Sequence, residues 1–431
     1  MRILNITNQV PYPAVSGAPL RTYNMLRRLA REHEVYLAAF TETDEHNDGL
    51  ANLLQTCREV VTVRRKSLKQ SMHFGKILTS LLHGEPPETR LSFSEDLARE
   101  IQDLVNRVNF DIVLIEHGSM GLYLEALPAK LRKKAVWVLH DIDFDKFMRI
   151  ANITQRKGAK ARAWIHAKMM KRWQPQFASQ FRYCVTVSEP DRKLLLSANG
   201  NLRVCVSPNG VDTNHYRPLP DETTAAEILF VGNMGYEPNA DAAVYFCREV
   251  LPLVRREVPD VKVWIVGIDP GPSVTRLGGD KVFITGAVPD VRPYYKRSRV
   301  CIVPLRAGSG TRLKILEAMA LGRPVVSTSI GCEGLNATEG ENLLIADDSK
   351  RFAEQIVRLL TDSEFRAGIT QNARQFVTAL YDWDVIAERL MNDFRQFAGQ
   401  NGNGEDCSSD QVWVDQHLQA PSSEPRVQGH A

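Results

Sequence analysis

The chain has 431 residues, and 43% of them are hydrophobic. This length and hydrophobic fraction suffice for two domains with separate cores. The formal net charge is +3 at pH 7. The nearly balanced charge gives no support to nucleic-acid binding, and no apolar run approaches the ~20 residues that cross a bilayer. Seven scattered cysteines without a C-x-x-C pair, and an N-terminus that opens into a predicted strand rather than a signal peptide, favour a cytoplasmic protein, soluble or peripheral at a membrane.

Short apolar runs alternate with helical patterns through the first half of the chain. This alternation predicts a doubly wound parallel sheet. The loop from Pro11 to Ala18 follows the first strand, and such sheets bind ligands at the carboxyl ends of their strands. The predicted strands are Ile3 to Thr7, Val35 to Phe40, Val60 to Val63, Asp111 to Ile115, Ala135 to Leu139 and Tyr183 to Val187, with a first helix near Leu20 to Arg31.

His140 directly follows one of these strands, at the edge where a ligand is expected. A lone histidine at such a place is more often a packed, hydrogen-bonded residue than a site residue. Glu116 and His117 end the preceding strand and form a weaker candidate. Asp141 and Asp143 follow His140, but two acids do not make a metal site.

A basic segment without any Asp or Glu runs from Lys146 to Ser188. Aromatic and methionine side chains are interleaved with its cations, as in helices that lie on an anionic membrane, where each cation contributes about 1 kcal/mol. A solvated helix face, a partner protein and nucleic acid are the competing interpretations, the last without a recognised motif. The cations assigned to a membrane surface are Arg156, Lys157, Lys160, Arg162, Lys168, Lys171 and Arg172.

A second alternation begins after the turn signal Pro208-Asn209-Gly210 and a polar, proline-containing linker. It opens with the strand Ile228 to Val231 and a glycine loop at Gly232. This opening resembles a dinucleotide-binding start without its full fingerprint, so alone it is weak evidence. Further strands are predicted at Val261 to Val266 and Val282 to Thr285.

The strongest pattern lies between Cys301 and Val326, where the sequence predicts strand, loop, helix, turn and strand. The small residues from Gly308 to Thr311 leave helix-terminal amides open to an anion. The predicted helix from Arg312 to Leu321 ends at Gly322, a residue type suited to a helix C-terminus.

Two cations, Arg312 and Lys314, stand in the first turn of this helix, where the helix dipole favours negative charge. A bound diphosphate removes that conflict, and Glu317 is suited to accept hydrogen bonds from ribose or sugar hydroxyls. The pattern therefore predicts a site for a nucleotide diphosphate that carries a hydroxylated group. An ordinary exposed pair of Lys314 and Glu317 is the plain alternative.

The run from Leu316 to Val326, LEAMALGRPVV, resembles the signature helix of the retaining GT-B glycosyltransferases of family four, and the resemblance covers roughly residues 1–397. Two features depart from the family pattern. Ser309 stands where the first signature glutamate is found, so Ser309 and nearby amides would substitute for it. The loop after Gly232 lacks the Arg and Lys that contact the diphosphate in many members, so Arg312 and Lys314 are expected to take over.

The resemblance implies two Rossmann-like domains that face each other across a cleft, without a bound metal. It assigns Arg312 and Lys314 to the leaving diphosphate, Glu317 to the ribose or donor sugar, and His140 to the positioning of that sugar. The residues that it assigns to donor binding are Gly17, Gly232, Asn233, Val288, Ser309, Gly310, Thr311, Gly334 and Leu335.

The expected organisation is an acceptor-binding domain at 1–215, a linker at 216–227, a nucleotide-sugar-binding domain at 228–380, a crossover helix at 381–398 that returns to the first domain, and a disordered tail at 399–431. The expected reaction moves a hexosyl group from a nucleotide diphosphate sugar to a glycan or lipid-linked acceptor with retention of configuration. The expected pathway is exopolysaccharide or cell-surface glycan assembly. The expected location is the cytoplasm, with peripheral binding at the inner face of the cytoplasmic membrane.

Three alternatives stay open from the sequence. A non-catalytic scaffold of the same fold is one, because the first signature glutamate is lost. A sugar-nucleotide epimerase is another, although no convincing pair of acid and base carboxylates is found. The basic segment alone suggests a membrane or nucleic-acid binding module. The donor sugar, base, acceptor, linkage and oligomeric state are left open.

Overall fold

The computed structural model describes residues 1–14, 17–42, 48–65, 79–80, 82, 84–154, 156–220, 225–307 and 313–399. These residues build two sheets, of seven and six strands, flanked by helices. Every strand pair is parallel, which confirms the predicted α/β architecture of two doubly wound domains.

The first sheet has the strand order β3-β2-β1-β4-β5-β6-β7. Side chains of its central strand alternate between two cores, because Leu4 and Ile6 pack on one face and Ile3 packs on the other. Apolar residues on both faces are expected of a parallel sheet that helices cover on both sides. The strands are β1 (Arg2–Thr7), β2 (Glu34–Thr41), β3 (Glu59–Arg64), β4 (Ile112–Glu116), β5 (Ala135–Leu139), β6 (Tyr183–Thr186) and β7 (Val204–Val206).

The described helices of this half connect its strands. Ser188 caps the start of the last of them, since its Oγ accepts a hydrogen bond from the Asp191 amide at 3.2 Å. The helices are α1 (Gly17–Leu29), α2 (Asp48–Thr56), α3 (Pro87–Leu91), α4 (Glu95–Arg107), a 3-10 helix (Gly118–Ala126), α5 (Ala129–Arg132), α6 (Asp143–Ile153), α7 (Lys157–Ala178) and α8 (Glu189–Ala198).

The second sheet has the strand order β10-β9-β8-β11-β12-β13. Its strands are β8 (Glu227–Val231), β9 (Lys262–Val266), β10 (Val282–Ile284), β11 (Val300–Val303), β12 (Val325–Ser327) and β13 (Leu344–Ile345). Its helices are α9 (Glu237–Tyr245), a π-helical segment (Phe246–Val250), α10 (Leu251–Glu257), α11 (Pro272–Thr275), α12 (Arg292–Arg297), α13 (Leu313–Ala320), α14 (Ser349–Thr361) and α15 (Ser363–Leu380), followed by α16 (Trp383–Gly399).

Helix α13 forms as the sequence predicts within the described residues. Leu316 and Ala320 are fully buried, as their spacing indicates, and Leu313 is partly buried. Gly322 ends the helix with a φ of +70°, a conformation in which glycine avoids the penalty that a Cβ would bring. The strand before it stops at Val303, so Pro304, which cannot donate to a strand ladder, lies beyond its end.

The predicted linker ends too late in the sequence. Glu227 was predicted to close it, but this residue is the first of β8. Its carboxylate is buried and accepts hydrogen bonds from Trp264 Nε1 at 2.8 Å and Arg297 Nε at 2.7 Å. These two partners are distant in sequence, and they compensate the cost of burying a charge that a sequence pattern assigns to solvent.

Helix α16 packs on the first domain. Trp383, Ile386 and Leu390 share a core with Ile3 and Leu26. Gly210 at the domain boundary lets the backbone come close to this helix. A Cβ added at Gly210 would lie 2.7 Å from Ile386 Cδ1 and 2.7 Å from the carbonyl oxygen of Tyr381. The chain thus leaves the second domain and returns to the first.

Three expectations from the sequence concern membrane-spanning helices, free thiols and the C-terminal tail. Among the described residues, no helix combines the length and the apolarity that crossing a membrane requires. Free thiols are found at Cys57, Cys184, Cys247, Cys301 and Cys332. Apart from Gly399, the predicted tail at 399–431 lies outside the described residues.

Candidate active site

Each sheet reverses its strand order once, between β1 and β4 in the first and between β8 and β11 in the second. Doubly wound sheets bind ligands outside the carboxyl ends of the strands at such a point. The two edges face each other, since a Cβ added at Gly17 would lie 3.7 Å from Leu313 Cδ1. The side chain of Arg149 on α6 also reaches Glu333, in the loop after β12. The cleft between the two edges is the candidate active site.

Lys314 extends from the first turn of α13 toward the loop after β8. Its Nζ donates to Asn239 Oδ1 at 2.9 Å and lies 4.7 Å from the centre of the Phe230 ring. Asn239 donates in turn from Nδ2 to the carbonyl oxygen of Asn233 at 2.9 Å. A cation of α13 therefore lies beside the loop whose own sequence lacks one.

Two glycines allow the backbone and this cation to approach each other. A Cβ added at Gly232 would lie 2.8 Å from Lys314 Nζ. Gly267, after β9, has a φ of +152°, and a Cβ there would lie 1.6 Å from the carbonyl oxygen of Gly232. Larger residues are excluded at Gly267 and would displace the ammonium at Gly232.

Glu317 lies three residues after Lys314 on α13 and is partly buried. Its Oε1 is 3.5 Å from the hydroxyl of Tyr216, a weak hydrogen bond. Burial raises the pKa of Glu317, while the charge of Lys314 and the hydroxyls of Tyr216 and Tyr295 oppose that rise. A carboxylate with so weak a partner can exchange it for the hydroxyl of a ribose or sugar.

The other predicted donor-binding residues that the structure describes lie in the loops after β8, β10 and β12, at the carboxyl ends of second-domain strands. Asn233 is exposed after β8, and its Oδ1 accepts a hydrogen bond from the Gly235 amide at 2.9 Å. Val288 is partly buried after β10. Gly334, with a φ of +86°, and Leu335 lie in the loop after β12.

Part of the predicted site lies outside the described residues. The residues concerned are Ser309, Gly310, Thr311 and Arg312. The assignment of Arg312 to the leaving diphosphate, and of Ser309 to the place of the first signature glutamate, therefore stay predictions.

His140 lies at the carboxyl end of β5 and pairs with a buried carboxylate. Its Nε2 is 2.6 Å from Glu116 Oε2, at the end of β4. The same carboxylate accepts hydrogen bonds from Asn5 Nδ2 at 2.8 Å and Thr22 Oγ1 at 2.9 Å. The described contacts of His140 are thus within the first domain, while Lys314 and Glu317 belong to the second.

The charge state of Glu116 determines whether Glu116 Oε2 or His140 Nε2 carries the proton of the hydrogen bond between them. Burial alone raises the pKa of Glu116, but the hydrogen bond and charge of His140 outweigh it and lower this pKa to about 2. The ionised carboxylate only accepts hydrogen bonds, so His140 Nε2 is the donor. Nδ1 is then the nitrogen that can interact with a substrate hydroxyl.

His117 completes this histidine and carboxylate cluster. Its ring centre is 4.0 Å from that of His140, and its backbone has a φ of +74°. Non-glycine residues rarely adopt such angles, and those that do are concentrated at functional sites. Burial lowers the pKa of His117 well below its ordinary value, and the charge of His140 adds to the effect.

Glu116, His117 and His140 offer three potential metal-ligand atoms that lie within 4.8 Å of one another. A metal would compete with the contact between Glu116 Oε2 and His140 Nε2, and the other Glu116 oxygen already accepts from Asn5. This hydrogen bonding suits a proton-sharing pair better than a cation, and the expectation of no metal stays a prediction.

All seven cations assigned to a membrane surface are exposed, and six of them lie on α7. Trp164 and Ile165 are 50% and 54% exposed among them, and Lys168 Nζ lies 5.2 Å from the Trp164 ring centre. Among the salt bridges of the described residues, none involves these cations. The segment is an exposed basic face with two large apolar side chains.

Several residues of the cleft were missed from the sequence. Asn239 holds Lys314, and only its place near the start of α9 could have indicated it. The sequence indicates Glu116 as the end of a strand, but nothing in it indicates that this carboxylate is the partner of His140. Arg149 and Glu333 were not singled out, because nothing local marks two residues that meet across a cleft.

Comparisons with known proteins agree with this arrangement. The family described as Glycosyltransferase Family 4 matches residues 15–215, and that described as Glycosyl transferases group 1 matches residues 225–362. The structure of HepE from Anabaena in complex with UDP and glucose has a TM-score of 0.63, with 16% identity and coverage of 92% of this chain and 100% of HepE.

Two curated relatives match more locally. A phosphatidyl-myo-inositol mannosyltransferase of Mycolicibacterium smegmatis is 27% identical over 226 residues, 50% of this chain and 57% of the relative. The lipopolysaccharide core biosynthesis mannosyltransferase LpsB of Rhizobium meliloti is 26% identical over 186 residues, 38% of this chain and 52% of the relative. The chain thus spans about half the length of the curated relatives that it matches. Its two matched halves, its fold and its signature helix show that it belongs to the GT-B glycosyltransferases of family four.

Proposed function

We propose that the protein transfers a sugar from a nucleotide diphosphate sugar to a glycan or lipid-linked acceptor. The observation that carries the proposal is Lys314, an ammonium held by Asn239 against the glycine loop after β8. A cation at the carboxyl edge of a doubly wound sheet, with an open backbone beside it, suits a diphosphate. Glu317 is placed one turn further on for the hydroxyls of the ribose or donor sugar.

Lys314 would act in the transition state as well as in binding. Negative charge grows on the diphosphate as the bond to the sugar breaks, so a fixed cation is worth more in the transition state than in the ground state. Removing one such contact costs about 2.7 to 4 kcal/mol in comparable sites. Arg312 is proposed as the second cation of this clamp, and His140 as the residue that positions the sugar.

The donor class is supported by the relatives. HepE was crystallised with UDP and glucose, and the two curated relatives are named as mannosyltransferases. The base and sugar used by this chain are therefore to be read from binding experiments with both uridine and guanosine nucleotides. Neither a metal nor another cofactor is proposed.

Retention of anomeric configuration is proposed from the family resemblance. No carboxylate of the enzyme is required as a nucleophile, since Glu317 is assigned to hydroxyl binding and Glu116 accepts hydrogen bonds from Asn5, Thr22 and His140. An NMR spectrum of the first product, recorded before mutarotation, reads the configuration directly. A product of inverted configuration would refute this part of the proposal.

Peripheral binding at the inner face of the cytoplasmic membrane is proposed from the exposed basic face of α7. Cations, an exposed Trp and an exposed Ile are the groups that anchor a helix to anionic lipid. A lipid-linked acceptor in exopolysaccharide or cell-surface glycan assembly fits this placement, and the name of LpsB refers to lipopolysaccharide core biosynthesis.

Co-sedimentation with anionic vesicles tests the membrane proposal. Replacing Arg156, Lys157, Lys160 and Arg162 by Gln is expected to abolish vesicle binding and to leave transfer to a soluble acceptor intact. In a control variant, Gln replaces four exposed cations of the second domain, Arg256, Lys262, Lys350 and Arg351. This variant loses the same amount of positive charge as the α7 variant. Equal loss in both variants would mean that net charge, rather than the face of α7, drives the binding.

The transferase proposal is tested by calorimetric titration with UDP, GDP and their sugars. Selective binding of one nucleotide sugar that is lost in Glu317→Ala, but kept in the exposed control Glu354→Ala, is the expected result. Absence of binding to every nucleotide would refute the proposal and favour the non-catalytic scaffold. Release of an epimerised free sugar nucleotide without acceptor would instead favour the epimerase.

A further inference from the structure

The side chain of Tyr216 reaches the candidate donor site from outside the second sheet. Tyr216 is the first residue of the predicted linker between the two domains, and its hydroxyl is 3.5 Å from Glu317 Oε1. Its ring is partly buried against the core of the second domain. The linker therefore supplies a partner to the carboxylate that the proposed function assigns to the hydroxyls of the donor.

The backbone of Tyr216 is tied to the helix that carries Glu317. Arg374 on α15 donates from Nη1 to the carbonyl oxygens of Tyr216 at 2.9 Å and Ala320 at 2.7 Å. Ala320 is the last residue of α13, and a cation is favourable at the C-terminus of a helix. The same guanidinium donates from Nη2 to the carbonyl oxygen of Thr213 at 3.2 Å. One side chain thus seats the linker on the end of α13.

The turn before Tyr216 is also fixed from the first domain. Asp212 Oδ1 accepts hydrogen bonds from the amides of Asn214 at 3.1 Å and His215 at 2.9 Å. Arg28 on α1 donates to the other carboxylate oxygen of Asp212 at 3.0 Å, and the amide of Tyr216 donates to the Asp212 carbonyl oxygen at 2.8 Å. The position of the phenol therefore depends on contacts with both domains.

A second phenol meets Glu317 from α12. Tyr295 is 1% exposed, its hydroxyl lies 3.4 Å from the carbonyl oxygen of Lys314, and it also hydrogen-bonds to the Glu317 carboxylate. Burial raises the pKa of Glu317, while the charge of Lys314 and the two phenols oppose that rise. A carboxylate offers about four lone-pair sites, so the phenols can hold it while hydroxyls of a ligand bind.

The groups around Tyr216 keep its hydroxyl a hydrogen-bond donor. Burial raises the pKa of Tyr216, and the charge of Glu317 adds to the rise. Asp290, before α12, and Arg292, the first residue of α12, pair with each other at 2.9 Å, and their charges act on Tyr216 in opposite directions. The phenol is therefore protonated at neutral pH, and Glu317 accepts its hydrogen bond.

We propose that Tyr216 is a positioning residue of the donor site, which orients the Glu317 carboxylate and makes donor affinity depend on the seating of the linker on α13. The proposal rests on the proposed transferase function, in which Glu317 binds hydroxyls of the donor. Ring packing alone would explain an apolar residue at this position, but not a hydroxyl that meets a partly buried carboxylate. Because the phenol acts through Glu317, its removal should change the charge state of that carboxylate as well as donor affinity.

The variant Tyr216→Phe tests the proposal, because it keeps the packed ring and removes the hydroxyl. Calorimetry on the full chain with UDP, GDP and their sugars should give a dissociation constant about 3- to 10-fold higher at pH 7 than in wild type, the effect of one hydrogen bond. Tyr294→Phe removes the neighbouring phenol on α12, which is also partly buried. It is the matched control and should leave the affinity unchanged.

The charge state of Glu317 supplies a readout that a merely structural role would not move. Loss of a hydrogen-bond donor raises the pKa of a carboxylate, so Glu317 in Tyr216→Phe should protonate at higher pH than in wild type. Carbon-13 NMR of the glutamate carboxyl groups follows this titration without any ligand, and Glu317→Gln identifies the signal. Nucleotide affinity, which needs the ionised carboxylate, should likewise begin to fall at higher pH as the solution is acidified.

The expected result is both changes together in Tyr216→Phe and neither in Tyr294→Phe. An unchanged titration of Glu317 would overturn the proposal whatever happens to affinity, because Tyr216 would then not act through that carboxylate. A shifted titration with unchanged affinity would overturn it as well, since the contact would not bear on the donor. If the titration shifts but wild type binds no nucleotide at any pH, Tyr216 still positions Glu317 and the transferase proposal fails instead.

Discussion

The environment of Glu116 makes the stability of the fold depend on pH. This residue is 3% exposed and gathers hydrogen bonds from Asn5, Thr22 and His140. Burial opposes its charge, yet the hydrogen bond and charge of His140 and the hydrogen bond from Asn5 lower its pKa from 4.5 to about 2. A lowered carboxyl pKa adds stability that is fully present above the unfolded value and is lost as pH falls from about 4.5 toward 2.

We therefore expect Glu116→Gln to lower the free energy of unfolding by about 3 kcal/mol at pH 7. The difference from wild type should shrink below pH 4.5 and vanish near pH 2. Urea unfolding at several pH values measures it, with the exposed Glu354→Gln as a control. A difference that stays constant with pH would show that lost packing, rather than the charge, causes the destabilisation.

Lys314 gives a second prediction at this scale. Lys314→Met keeps the length of the side chain but removes the charge-assisted contact, which is worth about 1.5 to 3 kcal/mol. The dissociation constant of the bound nucleotide should therefore rise about 10- to 100-fold. Calorimetry measures it, and Lys296→Met, at an exposed site on α12, is the matched control. Unchanged affinity in Lys314→Met would remove this residue from the phosphate site.

At the scale of elements, the loop after β8 depends on its neighbour after β9. A Cβ at Gly267 would lie 1.6 Å from the carbonyl oxygen of Gly232, and a backbone atom cannot move aside as a flexible side chain does. Gly267→Ala should therefore cost about 3 kcal/mol or more of stability and weaken nucleotide binding by shifting the loop.

Gly158→Ala supplies the control, since a Cβ there, in the first turn of α7, meets nothing within 4 Å. It should be neutral or stabilising by up to about 1 kcal/mol. Thermal melts and nucleotide titrations of both variants read the two effects. A Gly267→Ala protein with unchanged melting temperature and affinity would contradict the close contact of the two loops.

Elements were predictable where their signal is local. β5 occupies Ala135–Leu139, the same bounds that its apolar run predicts, and Gly322 ends α13 where the sequence indicates. Glu227 was misassigned because its partners Trp264 and Arg297 are 37 and 70 residues away. His140 could be located at a sheet edge, but its partner Glu116 is 24 residues earlier, and only the parallel pairing of β4 with β5 brings the two together.

At the scale of the whole molecule, two sets of ion pairs lie where the domains meet, one at the boundary that the chain crosses between them and the other across the cleft. Arg28 on α1 is 7% exposed and holds Asp212 at 3.0 Å and Asp384 at 3.1 Å. These contacts tie α1 to the domain boundary and to the start of α16. At the cleft, Arg149 makes a bidentate pair with Glu333, at 2.6 and 3.0 Å.

The Arg149–Glu333 pair joins α6 of the first domain to the loop after β12. Arg149 shares α6 with Asp143, Lys146 and Phe147, which line a cavity of about 250 Å³ beside His140, and Glu333 immediately precedes Gly334 and Leu335, two predicted donor-binding residues. Each side chain is 32% exposed, so solvent screens the pair in part, although its bidentate geometry favours it over an ordinary surface pair. We expect it to hold the two halves of the site at the distance that transfer needs.

A double-mutant cycle with Arg149→Met and Glu333→Gln tests this coupling. Each single variant should lower kcat/KM, and the double variant should lose little more than either one, with a coupling energy of about 1 kcal/mol. Small-angle scattering should show a larger radius of gyration in all three variants, because the cleft is no longer held. The exposed pair of Arg351 and Glu339, which lies within the second domain, serves as the control cycle. Additive losses in kcat/KM with an unchanged radius would mean that the two residues act separately, each on its own side of the cleft.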